Sequence, residues 1–156
     1  SSLWGSYGTT IDYSPLQKTI YDPCPPGYSI PPSGTFTGFT PQGVQLCDYA
    51  EANIYDLNGD DYITIDDYED GWYFYTDDTK TSTIFFPAMS PIERGVDNAL
   101  HAPYYKNMGI YHTSGSYAGY SCTVSFSLEK GGRVYGYGYS STGSGKSIRP
   151  VAIQNN

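Results

Sequence analysis

The chain has 156 residues, the length of one compact domain, with 38% hydrophobic and 15% charged residues. No apolar run approaches the roughly 18–20 residues that a bilayer-spanning helix needs, which excludes embedding by helices. Sixteen acids against eight bases leave a net charge of −8, which argues against unaided binding to nucleic acid or to an anionic membrane surface. The opening Ser1-Ser2-Leu3-Trp4-Gly5 has neither the basic start nor the apolar stretch of a signal peptide, so the chain reads as a mature or excised piece. Eighteen Tyr, 18 Gly and 11 Pro dominate, and such aromatic richness belongs to chains that fold. The scarcity of Ala, Leu and Glu disfavours long helices.

In chain order, residues 1–34 are punctuated by Asp22-Pro23-Cys24-Pro25-Pro26-Gly27 and Pro31-Pro32-Ser33-Gly34, which predict ordered irregular chain around a short Tyr28-Ser29-Ile30 extension. A brief helix or turn fits Leu16–Tyr21, and Thr35–Gln45 reads as strand or loop. Trp72–Thr76 and Thr83–Phe86 are aromatic and β-branched runs, and residues 77–82 between them predict a hairpin connection. Gly109–His112 is a further strand. Ser121–Leu128 alternates strictly, with Cys122, Val124, Phe126 and Leu128 on one face and small hydroxyls on the other. Lys130-Gly131-Gly132-Arg133 is a turn into Val134–Tyr139, and Ser147–Ile153 closes the chain. This pattern predicts one mostly antiparallel β domain over residues 1–156, with long loops and little helix. Three cysteines leave at least one unpaired; a Cys24–Cys47 bridge would close one loop, and nothing in the spacing requires it.

Eleven of the sixteen acids lie between Asp48 and Asp78, where no Lys or Arg occurs. Such a cluster is either solvated repulsion or a seat for cations. Residues 56–67 fit the register of a 12-residue EF-hand loop, with oxygens at Asp56, Asn58, Asp60, Tyr62 (backbone carbonyl), Thr64 and Asp67. A hard dication wants six to eight oxygens, and alternating short carboxylates on a tight loop converge on one point. Ile63 would supply the small β-bridge of such loops. Asp61 stands where Gly is usual, a position that demands positive φ. Asp67 replaces the usual Glu, similar to bacterial dockerin-type loops. The reading is a single inserted calcium loop with a structural role.

Between Tyr104 and Tyr139 there are eight tyrosines among Gly, Ser, Asn and Thr. The candidate contact residues are Tyr104, Tyr105, Asn107, His112, Tyr117, Tyr120, Tyr135, Tyr137 and Tyr139. Tyr135, Tyr137 and Tyr139 alternate with glycine and share one face if the strand is regular. Buried, that face would pack the core. Exposed, it would offer rigid amphipathic rings to a protein surface or to sugar faces. Catalytic constellations are missing: His101 and His112 are isolated, and GxSxG, HExxH and P-loop motifs do not occur.

Three blocks, in order, carry a family resemblance. Lys18-Thr19-Ile20-Tyr21-Asp22-Pro23-Cys24-Pro25-Pro26-Gly27-Tyr28 resembles the opening of the Fibrobacter succinogenes major paralogous domain. Asp70–Tyr75 with Thr83–Ala88 resembles its middle signature, and Ser147–Val151 its closing strand. The resemblance implies an α+β, C-type-lectin-like fold and a place at the C-termini of Bacteroidales surface and fimbria-like proteins. Some variable proteins diversified by retroelements share that fold and carry Tyr/Asn/Ser/Gly-rich positions near the C-terminus. Many members end in Arg-Cys-Val; Pro150 occupies the cysteine's place here, so Cys24 loses that partner. The resemblance and the residues together favour a non-enzymatic binding or adhesion domain at a bacterial cell surface, or secreted, with calcium as cofactor and an extracellular protein or glycan as ligand. The alternatives are a structural pilus or surface module with its tyrosines buried against a neighbour, a retroelement-diversified variable binding protein, and, third, an enzyme on the same scaffold.

Overall fold

The structure is a computed structural model that describes residues 18, 20–89, 91–94, 99–101, 107–118, 120–128, 132–140 and 145–153. The strands in the first half are β1 (Tyr28–Ser29), β2 (Cys47–Asp48), β3 (Gly71–Tyr75) and β4 (Thr83–Pro87). Next come β5 (Glu93–Arg94), β6 (Leu100–His101), β7 (Met108–Tyr117) and β8 (Tyr120–Ser127). The last are β9 (Arg133–Ser140), β10 (Ser147–Ile148) and β11 (Val151–Ala152). A five-stranded sheet runs β10-β7-β8-β9-β2, and β1-β11, β3-β4 and β5-β6 form separate pairs. Among the described residues, all strand pairings are antiparallel except β10 with β7.

The mostly antiparallel β architecture follows from the alternation in the sequence. Cys122, Val124 and Phe126 are almost wholly buried, as the period-2 pattern predicts, and Leu128 packs against the core from its rim. Thr123, on the opposite face, is buried too, so β8 lies at the centre of the sheet with cover on both sides. The β3–β4 hairpin forms where its aromatic runs predict it. Trp72, Phe74 and Phe86 enter the core, with Phe39 stacked on Phe74 at 4.2 Å and Phe86 edge-on to Phe36, Phe39 and Tyr111. These edge-to-face contacts add to simple area burial. Gly109 admits the Phe126 ring, since a Cβ there would stand 2.4 Å from it.

The structure narrows several of these readings. No α-helix occurs among the described residues, so the helical half of an α+β class is missing there. Among the described residues, helical geometry is confined to four three-residue 3-10 turns, one of them at residues 65–67. Of the two readings for Thr35–Gln45, strand or loop, the structure has the loop, with turns at Thr37–Phe39 and Pro41–Gly43, because Pro41 and two glycines interrupt extended pairing. Of Leu16–Tyr21, only Lys18, Ile20 and Tyr21 are described, and the last two lie in a turn. Cys24, Cys47 and Cys122 are all free and buried, so no Cys24–Cys47 bridge forms. No helix among the described residues is long and apolar enough to cross a membrane.

The signature block around Cys24 has a local cause. The Lys18 ammonium donates to the carbonyls of Cys24 and Tyr28 at 2.7 and 2.6 Å and pairs with Asp22 at 3.4 Å. Asp22 accepts the N–H groups of Cys24 and Ile30. At the other end, Arg149 donates to the Phe85 carbonyl at 2.7 Å and lies 4.9 Å over the Phe86 ring.

Candidate functional site

The tyrosine-rich strands β7, β8 and β9 meet in register, and their irregularities decide which rings share a face. Residues directly opposite in an antiparallel pair point to the same face. Ser125 pairs with Tyr135, whereas Cys122 pairs with Tyr139. Ser125 and Cys122 are three apart on β8 and so face opposite sides of the sheet. Tyr135 and Tyr139 therefore diverge. The cause is a bulge: two steps on β8, Thr123 to Ser125, are matched by three on β9, Gly138 to Tyr135. A Cβ on Gly138 would lie 3.6 Å from that of Tyr135, a closeness no regular strand permits for residues three apart. The expectation that Tyr135, Tyr137 and Tyr139 share one face is overturned by this extra residue.

A second irregularity lies in β7. His112 pairs with Thr123 and Ser116 with Ser121, so β7 carries two extra residues between them. Beyond it, Tyr117 pairs with Tyr120 at the hairpin end. By register, Tyr117, Tyr120 and Tyr139 share the face of Cys122. The rings of Tyr117 and Tyr139 stack at 4.9 Å with 26° between planes, and Tyr137 meets Tyr139 edge-on at 6.5 Å. Tyr120 is 53% exposed and Tyr139 37%.

The structure thus joins four of the nine predicted contact residues: Tyr117, Tyr120, Tyr137 and Tyr139. Tyr135 lies on the opposite face, as does His112, which is buried opposite Thr123. Asn107 is exposed but stands at the far end of β7 from Tyr117, where its carbonyl accepts the Leu128 N–H. Tyr104 and Tyr105 lie outside the described residues. Tyr111 is a core ring whose hydroxyl donates to the Pro87 carbonyl; burial pushes its pKa up to about 12 despite nearby Arg149.

The acidic loop is tied together by its own side chains. Asp56 accepts the N–H groups of Gly59 and Asp61, both at 2.7 Å, Asn58 accepts that of Asp60, and Asp60 that of Tyr62. Asp61 adopts φ +69°, the left-handed conformation its position demands. Asp67 is buried and accepts from the N–H groups of Leu57, Asn58 and Thr64. Burial alone would raise its pKa, but these hydrogen bonds win and hold it below the ordinary aspartate value. Thr64 completes a capping box over the 3-10 turn Ile65–Asp67, and Ile63 packs against the core. The donor set is all oxygen, which suits a hard cation. Among the described residues, however, no three acid, imidazole or thiol groups converge on one point. In this arrangement the carboxylates serve the loop's own backbone.

Sequence reasoning missed a third feature, the Tyr55-Tyr75-Lys80 group. Tyr55 meets Tyr75 edge-on at 5.8 Å, and the Lys80 ammonium lies 5.3 Å from the Tyr75 ring centre. Only the hairpin assignment hinted at it, because Lys80 belongs to the predicted connection. Cys24 and Cys47 have pKa values raised to about 11, first by burial and then by neighbouring acids, so both stay protonated and poorly nucleophilic. Comparison with protein-family models, with curated proteins and with solved structures yields no match.

Proposed function

We propose that this chain is a non-enzymatic binding or adhesion domain of a bacterial cell-surface or secreted protein, gripping an extracellular protein or glycan through Tyr117, Tyr120, Tyr137 and Tyr139. The observation that carries this reading is the ring cluster at the end of the β7–β8 hairpin, where stacked and edge-on phenols reach solvent. Aromatic rings with two rotatable bonds give large contact area at low entropic cost, and three paired strands, β7, β8 and β9, carry them. The three signature blocks support kinship with the Fibrobacter succinogenes major paralogous domain and its C-type-lectin-like scaffold. The β-rich architecture is compatible with that kinship.

Calcium enters the same proposal as a stabiliser. Asp56, Asn58, Asp60, Thr64, Asp67 and the Tyr62 carbonyl would hold it, drawing on oxygens that now accept backbone N–H groups. A bound dication would neutralise part of the acidic segment and tie residues 56–67 into one unit.

The test uses the divergence of the rings. In a binding screen against immobilised glycans and cell-surface proteins, Tyr120→Ala and Tyr139→Ala are expected to lower affinity for any captured ligand by about 10- to 100-fold each. Tyr135→Ala, on the other face, should leave it within about twofold. Equal losses at all three positions, or none, would refute this surface and favour a structural pilus or surface module.

A further inference from the structure

A cleft of about 420 Å³ lies where β1, the end of β4 and the passage from β10 to β11 come together, and it shares no residue with the tyrosine cluster. Pro25 and Tyr28 line one side, Pro87 and Met89 another, and residues 148–150 the third. Tyr28 is 46% exposed and Met89 47%, so the apolar walls are reachable from solvent. Three of the wall residues are prolines, whose fixed φ stiffens the backbone that carries them. The volume falls in the lower part of the range of small-molecule pockets.

Arg149 is the one charged residue among those that line this cleft. Its guanidinium is fixed on two sides, by the bond from Nη1 to the Phe85 carbonyl at 2.7 Å and by the Phe86 ring 4.9 Å beneath it. The carbonyl takes one of five N–H donors, and no carboxylate among the described residues pairs with the other four. Pinning the closing strands to β4 accounts for the first donor only. The chain has sixteen acids to supply a partner, but eleven of them lie between Asp48 and Asp78, and no residue of that segment lines the cleft. The rest of the chain, from which every lining residue comes, has five acids against eight bases.

The chemistry of the walls selects the ligand. A guanidinium held flat with unspent donors on one edge matches the two oxygens of a single carboxylate, and its rotation is already restricted before anything binds. With one cation and no second charged group in the walls, a monoanion fits better than a phosphate dianion. The prolines, Met89 and Ile148 around it suit an apolar body. From this we infer that the cleft binds a monocarboxylate carried on a compact apolar body, the carboxylate on Arg149 and the body between Tyr28, Met89 and Pro150. Free small acids and peptide C-termini with an apolar last residue share this chemistry.

The experiment is an amide-shift titration of the ¹⁵N-labelled chain with phenylacetate, phenylacetamide and acetate, each to about 50 mM, a range that captures millimolar affinities. Phenylacetate is expected to give saturable shifts centred on Tyr28, Met89, Ile148 and Arg149. Phenylacetamide lacks the charge and acetate the apolar body, so each should bind about tenfold more weakly or worse. Met89→Glu, at an exposed position, sets a carboxylate of the chain's own beside Arg149; it should keep the parent melting temperature and weaken phenylacetate about tenfold or more. Arg149→Gln should weaken it as much. N-acetyl-glycyl-leucine, compared with its C-terminal amide, then assigns the source: binding tighter than phenylacetate points to a peptide terminus, and weaker binding to a free acid. The inference is overturned if phenylacetate does not saturate, if the amide or acetate binds as well, or if either variant responds like the parent. Neither substitution touches Tyr117, Tyr120, Tyr137 or Tyr139, so this cleft and the tyrosine surface fail separately.

Discussion

Lys18 carries a positive charge in a strongly acidic chain, and it spends that charge on its own backbone. Four oxygens, from Asp22, Cys24, Pro25 and Tyr28, receive its ammonium. Replacing it with Met keeps the stem but strands those carbonyls, at a cost of about 2 kcal/mol measurable by urea unfolding. Asp22 shares the effect. Burial opposes its ionisation, but the hydrogen bonds from Cys24 and Ile30 and the charge of Lys18 outweigh burial and hold its pKa below the ordinary aspartate value. A depressed carboxyl stabilises the fold above its unfolded pKa, and that contribution disappears as pH falls through the folded value. Asp22 and Asp67 should therefore protect the fold at neutral pH and yield below about pH 4, and Asp22→Asn should flatten the acid limb of a pH–stability curve. The buried thiols make a second test at this scale. Because burial raises Cys24 and Cys47 to about 11 and raises Cys122 as well, alkylation at pH 8 should proceed only at the rate of unfolding.

Hairpins and bulges govern the middle scale. Gly132 opens β9 at φ +61°, and a Cβ there would stand 1.8 Å from the Tyr49 ring, so Gly132→Ala combines a left-handed penalty with a clash. A loss of about 2–4 kcal/mol is expected in chemical denaturation. The strands themselves were legible in the sequence. Alternation at Cys122, Val124 and Phe126 identifies β8, and the aromatic runs around Trp72 and Phe85 identify the β3–β4 hairpin. The grouping of the tyrosines was not legible, because a bulge is a mismatch between two strands and neither strand alone encodes it. Tyr135 and Tyr139 look equivalent in sequence and are separated only by the register against Ser125 and Cys122. The acidic loop was readable in its dihedral demands at Asp61, since those arise from near neighbours. Convergence of side chains around a cation is a longer-range property, beyond what spacing alone can specify.

For the whole molecule, charge and connectivity matter most. The acidic segment repels itself, so raising sodium chloride from about 20 mM to about 500 mM should raise the melting temperature by a few degrees. Calcium should do more at far lower concentration, and Asp56→Ala should abolish its effect while leaving the sodium response. An identical response to calcium and to an equal ionic strength of sodium would sink the calcium proposal. The β1–β11 pair adds a mechanical property. Tyr28 faces Ala152, Ser29 faces Val151, and the Ile153 N–H donates to Gly27, so the incoming and outgoing chain lie side by side at one end of this pair. Tension applied through both would peel the ladder open from the Gly27–Ile153 bond inward, one link at a time, instead of shearing all its links together. A pair wired this way yields more readily to a pull through both of its arms than the five-stranded sheet would to a pull spread along its strands.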